Sequence, residues 1–413
     1  MKILLINHYA GSLDLGMEYR PYYMAKEWIK KGHDVTILAG SFSHVRTNQP
    51  ELQKDFEEQE KEGIRYVWIK TPKYSGNGLS RFIGMLTFVF KILMRAKSIS
   101  RKYSPEVVVA SSTYPLDNYA ARFIARLSKA KHIYEVHDLW PLSPMELGGM
   151  SKKHPFIMIM QAAENYAYKH AHQLISMLPK TLDHMLQHGL QSEKWHYIPN
   201  GINMDEWENQ TGLPIDIQIK ISGLKDNGYF LIGYTGSIGL ANALDNFLNV
   251  SKELLNQKVI FIIVGNGPEK ERLINKAKNE KLANVLFLDP VSKQSIPHLL
   301  QYFDVLYIGL QRQPLFRFGI SPNKLLDYMM AAKPIIQAID AGNDMVSEAS
   351  CGLSIKAEDP EALISAIKKM LAFSDEERKV LGENGKKFVQ KNHDYKMLAE
   401  KMLNIFKTEK IST

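Results

Sequence analysis

The segment GISPNKLLDY, residues 319–328, carries the side chains best suited to binding a phosphorylated ligand. Its pattern predicts a helix that Ser321 caps and whose first position is Pro322. The free backbone N–H groups at such a helix start attract anions, and Lys324 adds a cation where the helix dipole disfavours one. Asp327, one turn later on the same face, can accept hydrogen bonds from ribose hydroxyls. The segment therefore predicts a nucleotide site, with a capped surface helix carrying a Lys324–Asp327 pair as the alternative.

Two glycine-containing loops in the same half of the chain could bring backbone close to phosphates. The first, GSIG, contains Gly236 and Ser237, and the second, GNGP, contains Asn266 and Gly267. Glycine permits a close approach of backbone to an anion. The spacing is not G-x-G-x-x-G, so the dinucleotide fingerprint is absent. An ordinary strand–helix turn explains each loop equally well when it is taken alone.

In the first half of the chain, the candidate residues follow predicted strands. Gly16 lies in the loop after the first strand, and Glu18 and Arg20 stand where the next helix opens. His137 and Asp138 come at the end of a later strand, within EVHDLWP. Ligands of open parallel sheets bind beyond the carboxyl ends of the strands, so we expect this pair to face a ligand. A structural histidine and a surface arginine are the alternatives for His137 and Arg20.

Two successive runs of strand and helix signals must position these residues. A chain of 413 residues is too long for one hydrophobic core, and alternating strands and helices predict parallel sheets. The predicted strands of the first run are residues 2–7, 35–39, 64–69, 107–110, 132–136 and 173–176. Those of the second run are residues 229–234, 259–264, 285–288, 305–308 and 334–337. We expect an α/β fold of two doubly wound, Rossmann-like domains, 1–197 and 198–390, facing a central cleft, with a C-terminal helix in 391–413 packing back on the first domain.

The composition restricts the class of protein further. Lys and Arg number 52 against 44 Asp and Glu, and the net charge of +8 favours anionic partners. The single cysteine, Cys351, excludes an intrachain disulfide and fits a reducing compartment. The start MKILLINHY predicts a buried strand rather than a signal peptide, and no apolar run reaches the roughly 20 residues that span a bilayer. No metal-binding, Walker A, nucleophile-elbow or nucleic-acid-binding pattern is present.

Residues 82–102 begin apolar and end basic. The apolar residues are Phe82, Ile83, Met85, Leu86, Val89, Phe90, Leu93 and Met94. The basic residues are Lys91, Arg95, Lys97, Arg101 and Lys102. A basic amphipathic helix of this kind can lie on an anionic membrane surface, whereas a helix that covers the sheet and has a solvated basic end is the alternative.

Together, the motifs GMEYRP, EVHDLWP, YTGSIGLANALD and SPNKLLDYM resemble glycosyltransferase family 4, and the resemblance covers nearly the whole chain. They are most similar to the branch that transfers N-acetylated amino sugars, such as N-acetylfucosamine, in surface-polysaccharide assembly. The resemblance implies the two-domain GT-B fold and metal-independent, cofactor-free transfer with retention of configuration. It implies a UDP-sugar donor on the C-terminal domain and a glycan acceptor, carried on a polyprenyl diphosphate at the cytoplasmic membrane face.

The resemblance also assigns roles to single residues. It places His137 and Asp138 at the reaction centre and Glu18 and Arg20 on the acceptor side, and Asp327 matches the second acid of the family's E-x7-E motif. The predicted donor-binding residues are Gly16, Gly236, Ser237, Asn266, Gly267, Arg317, Gly319, Ile320, Ser321, Pro322, Asn323, Lys324 and Asp327.

The chain departs from the family pattern at the phosphate site. Gly319 stands where the first Glu of the motif is expected, and Ser237 and Asn242 replace the usual Arg and Lys. We therefore predict that Lys324, with Arg312 or Arg317, neutralises the diphosphate. A GT-B sugar-nucleotide epimerase and a non-catalytic sugar-nucleotide-binding subunit remain the alternative functions.

Overall fold

The computed structural model describes residues 1–76, 78–208 and 211–408, and the contacts divide the chain into two α/β units. Unit 1 consists of Met1–Asn200 together with the segment from Tyr395, and unit 2 consists of Gly201–Asp394. The predicted fold class of two doubly wound domains is confirmed. The divisions in the structure fall after Asn200 and Asp394, a few residues beyond the predicted ones at 197 and 390.

Unit 1 is built on an eight-stranded sheet. Its strands are β1 (Lys2–Ile6), β2 (Asp34–Gly40), β3 (Glu57–Lys61), β4 (Ile64–Ile69), β5 (Val107–Ala110), β6 (Lys131–Val136), β7 (Gln173–Ser176) and β8 (Trp195–Tyr197). Their order is β3-β4-β2-β1-β5-β6-β7-β8, and only the β3–β4 pair is antiparallel. The strand interiors are almost wholly buried because helices cover the faces of a parallel sheet.

The helices of unit 1 connect these strands and include the C-terminal helix of the chain. They are α1 (Arg20–Lys30), α2 (Leu79–Tyr103), α3 (Asp117–Ser128), α4 (Leu142–Glu146), α5 (Pro155–His170), α6 (Leu182–Gln187) and α16 (Tyr395–Lys407). The core cluster of unit 1 includes Leu398 and Met402 of α16, and the Trp28 indole N–H donates to the Ala399 carbonyl at 3.2 Å. The C-terminal helix is therefore part of the unit 1 core.

Unit 2 repeats the alternating pattern on a six-stranded parallel sheet. Its strands are β9 (Phe230–Thr235), β10 (Val259–Val264), β11 (Val285–Leu288), β12 (Val305–Gly309), β13 (Ile335–Ala338) and β14 (Gly352–Ile355), in the order β11-β10-β9-β12-β13-β14. Its helices are α7 (Asp205–Glu208), α8 (Ile215–Asp226), α9 (Leu244–Glu253), α10 (Lys270–Asn279), α11 (Ile296–Gln301), α12 (Asn323–Met330), α13 (Met345–Glu348), α14 (Pro360–Ala372) and α15 (Asp375–Asn392). The loops that follow β9 and β10 leave the same sheet edge, because neighbouring parallel strands end side by side.

None of the helices in the described parts of the chain combines the length and the apolar character needed to cross a membrane.

Candidate functional site

The two predicted glycine loops of unit 2 pack against each other through their backbones. A Cβ atom on Gly265 would lie 1.9 Å from the Gly236 carbonyl oxygen, and one on Gly267 would lie 2.3 Å from the Ile238 carbonyl oxygen. The Ile238 N–H also donates to the Asn266 carbonyl at 2.8 Å. Only glycine fits such an approach, so the sequence at these positions is set by the close contact between the loops.

The two packed loops, residues 236–239 and 265–268, form what we call the double glycine loop, and side chains on its outer surface are exposed. Ser237 and Asn266 are exposed, and the Asn266 side chain accepts a hydrogen bond from the Gly267 N–H at 2.8 Å. The Tyr234 hydroxyl at the end of β9 donates to the Ser237 carbonyl at 2.6 Å and so fixes the start of the turn. The structure therefore brings together four predicted donor-binding residues: Gly236, Ser237, Asn266 and Gly267.

Lys324, from the first turn of α12, reaches this double glycine loop. Its Nζ atom donates to the Tyr234 hydroxyl at 2.6 Å and to Asn242 Oδ1 at 3.0 Å, and a Cβ on Gly236 would lie 3.2 Å from it. Both hydrogen-bond partners are neutral, and within the described ranges no carboxylate forms an ion pair with this lysine. Burial lowers the pKa of Lys324 to about 7. The contact with Asn242 places Lys324 beside a position where the resemblance led us to expect a lysine.

The start of α12 differs from the prediction. The helix begins at Asn323, and Pro322 stands at the N-cap position with an extended backbone (ψ 125°) and no side-chain cap. Ser321 therefore precedes the cap, and the predicted assignment of Ser321 as cap and Pro322 as first helical residue is wrong by one position. The extended ψ angle of Pro322 explains the shift, because a helical residue needs ψ near −40°. Asn323 remains exposed at this helix start.

Asp327 lies half-buried one turn after Lys324, but the two side chains do not pair. Lys324 bonds instead to β9 and Asn242, which excludes the intrahelical pair of the surface-helix interpretation. Burial raises the pKa of Asp327 to about 6, opposed by the Lys293 charge and supported by that of Glu206. In the part of the chain that the structure describes, no side-chain hydrogen bond satisfies the Asp327 carboxylate, so its oxygens can accept bonds from a ligand.

The loop before α12 is fixed by a residue that the sequence did not single out. Asn343 accepts a hydrogen bond from the Ile320 N–H at 2.8 Å and donates to the Ile320 carbonyl at 3.1 Å. Gly319 has φ +102°, a conformation that favours glycine, so the residue at the position of the expected Glu supplies backbone only. Asn343 comes 23 residues after Ile320, and nothing in the local pattern predicts the contact.

The two arginines offered as phosphate ligands are already engaged. Arg312 forms an ion pair with Asp340 at 2.8 Å and donates to the Ala357 carbonyl at 3.0 Å. Arg317 is exposed, donates to the Pro314 carbonyl at 2.7 Å and lies over the Phe318 ring. Asp340 is the ion-pair partner of Arg312, whose side chain is 60% exposed, whereas Lys324 lies against the Gly236 turn. A phosphate-binding role for Arg312 or Arg317 stays a prediction.

In unit 1, His137 belongs to a buried polar network. Its Nε2 atom lies 3.0 Å from Ser111 Oγ and 3.3 Å from Glu135 Oε2, and Ser111 Oγ donates to Glu135 at 2.6 Å. Burial opposes the imidazolium, but the hydrogen bond and the charge of Glu135 outweigh it and raise the pKa of His137. Glu135 itself is buried, yet Arg20 and His137 hold the pKa of its carboxyl well below its usual range.

Arg20 is the structural centre of this network rather than an acceptor ligand. Its Nε donates to Glu135 at 3.0 Å, and its terminal nitrogens donate to the Ile198 and Pro199 carbonyls at 3.1 and 2.5 Å. The side chain is 1% exposed. The predicted acceptor-side role of Arg20 is therefore wrong, because a buried guanidinium with all of these partners cannot reach a substrate. Glu18 is half-buried and accepts from the Arg20 backbone N–H at 3.4 Å.

Gly16 and Asp138 are the first and the last, in chain order, of the site residues predicted for unit 1. Gly16 is buried at φ +94° in a turn where a Cβ would meet the Thr47 N–H nitrogen at 2.8 Å. Asp138 is exposed and lines a cavity together with Trp140. The structure thus supports a backbone role for Gly16 and a solvent-facing carboxylate at Asp138.

The structure also brings together three residues of types that bind metal ions, and the sequence did not indicate this group. Glu164, His184 and His188 come from α5 and from the region of α6, with ligand atoms within 4.8 Å of one another. The buried Glu164 carboxylate already accepts hydrogen bonds from Tyr168 at 2.8 Å and Gln161 at 2.7 Å. These bonds already engage the Glu164 carboxylate within unit 1.

Comparison with known proteins gives two family matches in chain order. Residues 16–201 match the model described as "Glycosyl transferase 4-like domain", and residues 216–388 match the model described as "Glycosyl transferases group 1". A colanic acid biosynthesis glycosyl transferase of Escherichia coli (strain K12), WcaI, is 21% identical over 355 residues, which are 84% of this chain and 86% of that protein.

Solved structures share the same architecture. A sucrose-phosphate synthase from Thermosynechococcus elongatus superposes with a TM-score of 0.74 at 14% identity, covering 98% of both chains. Anabaena HepE in complex with UDP superposes with a TM-score of 0.69 at 15% identity, covering 98% of this chain and 99% of that one. At these identities the likeness concerns the fold.

Proposed function

The chain belongs to the GT-B glycosyltransferases of family 4, and on that premise we propose that unit 2 binds a UDP-sugar whose sugar passes to a glycan acceptor. The observation that carries the proposal is the half-buried Lys324 ammonium, which has neutral partners and lies against the Gly236 turn. A buried cation without a counter-charge is unfavourable, and a bound diphosphate would supply that charge. The exposed backbone of the double glycine loop and the start of α12 add N–H donors for the same anion.

The nucleoside is proposed to be uridine, with its ribose on Asp327. Anabaena HepE, which shares the fold, binds UDP. The half-buried carboxylate of Asp327 stands one turn beyond Lys324, and burial raises its pKa. Its oxygens can accept hydrogen bonds from the ribose hydroxyls. The sugar is proposed to be an N-acetylated, deoxy amino sugar, because Gly319 replaces a carboxylate that would bond sugar hydroxyls.

The reaction is proposed to retain the anomeric configuration and to need no metal ion. The acceptor oxygen bonds to the sugar C1 as the bond from C1 to the β-phosphate oxygen breaks, and the acceptor proton passes to a phosphate oxygen. Negative charge then develops on the leaving diphosphate, where Lys324 and the α12 N–H groups stabilise it. His137 and Asp138 orient the sugar and the acceptor and take no covalent part.

The proposed place of action is the cytoplasmic face of a membrane that carries the acceptor on a polyprenyl diphosphate. The large apolar residues exposed along α2 follow helical spacing: Leu79, Ile83, Leu86, Phe90 and Met94. Arg95, Lys97 and Arg101 are exposed at the C-terminal part of the same helix. An apolar stripe with basic neighbours suits an anionic bilayer surface.

A panel of UDP-sugars tested with and without lipid-linked acceptors, followed by chromatography of nucleotides and lipids, tests this function. We expect UDP and a glycosylated lipid to appear together, and only when both substrates are present. An isomerised UDP-sugar formed without acceptor would identify an epimerase instead. Binding of UDP-sugar without turnover of any acceptor would identify a non-catalytic binding subunit.

A further inference from the structure

A cavity of about 760 Å³ is lined by residues of unit 1. It lies between the start of α2 and the chain from Asp138 to α5, and most of its wall is apolar. The apolar residues of this wall include Leu79, Phe82, Met85, Trp140, Leu147 and Phe156. Its volume is in the range of small-molecule sites, roughly 300–1,000 Å³.

The aromatic wall of this cavity is preassembled. The Phe156 ring lies 5.1 Å from the Phe82 ring and 6.0 Å from the Trp140 ring, both edge-to-face. These contacts join α2, the loop after β6 and α5, so the wall does not depend on a ligand to form. An apolar surface that is already organised binds hydrocarbon with little ordering of side chains.

The cavity is continuous with the exposed apolar stripe of α2. Leu79 is 72% exposed and Leu147 is 52% exposed, and both line the cavity. Phe82 and Met85 line it from the same helix that exposes Ile83 to solvent. A hydrocarbon chain that leaves a bilayer along α2 therefore stays on apolar surface until it enters the cavity.

The cavity also offers a cation to an anionic head group. Arg81 lines it, donates to the Tyr9 hydroxyl at 3.3 Å and lies over the Trp140 ring at 5.7 Å. His154 lines it too, and the adjoining Lys153 is exposed. A planar guanidinium held by aromatic rings is well placed to bind a phosphate.

We propose that this cavity binds a lipid phosphate, with the hydrocarbon chain on the apolar wall and the phosphate at Arg81. The inference rests on the proposed function in one respect, since it makes this lipid the carrier of the acceptor. Asp138, in the wall of the same cavity, then meets a hydroxyl group of the carried sugar. The enzyme is thereby selective for chain length as well as for the sugar of its acceptor.

Fluorescence or calorimetric titration without any nucleotide tests the cavity directly, with farnesyl diphosphate, geranyl diphosphate, farnesol and inorganic diphosphate as probes. Each buried methylene favours binding by about fourfold, so farnesyl diphosphate is expected to bind at least tenfold more tightly than geranyl diphosphate. Inorganic diphosphate, which lacks the chain, is expected to bind weakest. Equal affinity for the two prenyl diphosphates would overturn the proposal.

Two variants separate the chain from the head group. Leu147→Glu places a charge on the partly exposed rim and is expected to weaken farnesyl diphosphate binding more than tenfold. Leu127→Glu is the matched control, because Leu127 is 39% exposed on α3 and does not line the cavity. Arg81→Gln is expected to weaken farnesyl diphosphate about ten- to a hundredfold and to leave farnesol binding unchanged. Equal effects of the two leucine variants would refute the cavity as the site.

The outcome for the cavity is separable from that for the transferase function. If prenyl diphosphates bind as described but no UDP-sugar is turned over, the cavity stands and the proposed function fails. If lipid-linked acceptors are glycosylated while Leu147→Glu and Leu127→Glu show the same acceptor KM, the function stands and the cavity proposal fails.

Discussion

Replacement of Arg20 by alanine is expected to destabilise unit 1 rather than to weaken a substrate contact. The guanidinium is 1% exposed, and the carboxylate that it contacts, Glu135, is 2% exposed. Removing one partner of a buried ion pair costs about 3–5 kcal/mol, because the other charge stays buried without compensation. The carbonyls of Ile198 and Pro199 lose their donors as well. A loss of this size is a large share of a typical folding free energy of about 5–15 kcal/mol.

Urea unfolding followed by circular dichroism and by tryptophan fluorescence measures this loss. Arg65→Ala is the matched control, because the Arg65–Asp34 pair is exposed at 41% and 50% and should contribute only about 0–1 kcal/mol. The combined Arg20→Met and Glu135→Leu variant should recover much of the stability, since it buries no lone charge. An Arg20→Ala protein as stable as the Arg65→Ala protein, with only a raised acceptor KM, would refute the structural role.

The remaining predictions concern the donor residues of unit 2. Because burial lowers the pKa of Lys324 to about 7, its cation is lost as the pH rises through 7, and UDP affinity should fall on the order of a hundredfold between pH 6 and pH 9. Calorimetric titration of UDP across this pH range measures the affinity, which should not fall with pH in Lys324→Met. An identical pH dependence of UDP affinity in the two proteins would contradict this prediction. Burial raises the pKa of Asp327 to about 6, so its ionisation removes stability as the pH rises from about 4 through 6. Asp327→Asn should therefore stabilise the ligand-free protein by about 1–2 kcal/mol at pH 7 while weakening UDP binding, as thermal unfolding and titration measure; a destabilised variant would count against the raised pKa.

Local pattern was sufficient for most of the fold. Every predicted strand is present within a residue or so at each end, because apolar runs bounded by glycine or polar residues are typical of buried parallel strands. The strands missed were β3, β8 and β14. The first, EEQEK, is an antiparallel edge strand of charged residues, and the second has three residues, so neither carries an apolar run. Such strands are determined by pairing with a neighbour rather than by their own composition.

The candidate site shows the same difference between features that local sequence pattern predicts and features that depend on tertiary contacts. The glycine loops and Lys324 could be singled out from sequence because each stands at a recognisable local signal, a glycine pair after a strand or a helix start, although the contacts that they make are tertiary. The environment of Arg20 does not follow from sequence, because its ion-pair partner lies 115 positions away. The engagement of Arg312 with Asp340 and the bonds from Asn343 to Ile320 are likewise tertiary contacts across loops. The roles of the donor residues in catalysis stay predictions.

Calorimetric titration of UDP into the wild-type protein, Lys324→Met and Lys379→Met tests most directly whether unit 2 holds the donor through Lys324. Lys379, exposed on α15, is the control for loss of one positive charge from the same unit. We predict UDP binding to the wild type, an affinity about ten- to a hundredfold lower for Lys324→Met, and no change for Lys379→Met. A wild-type protein that binds UDP no better than Lys324→Met would contradict the account.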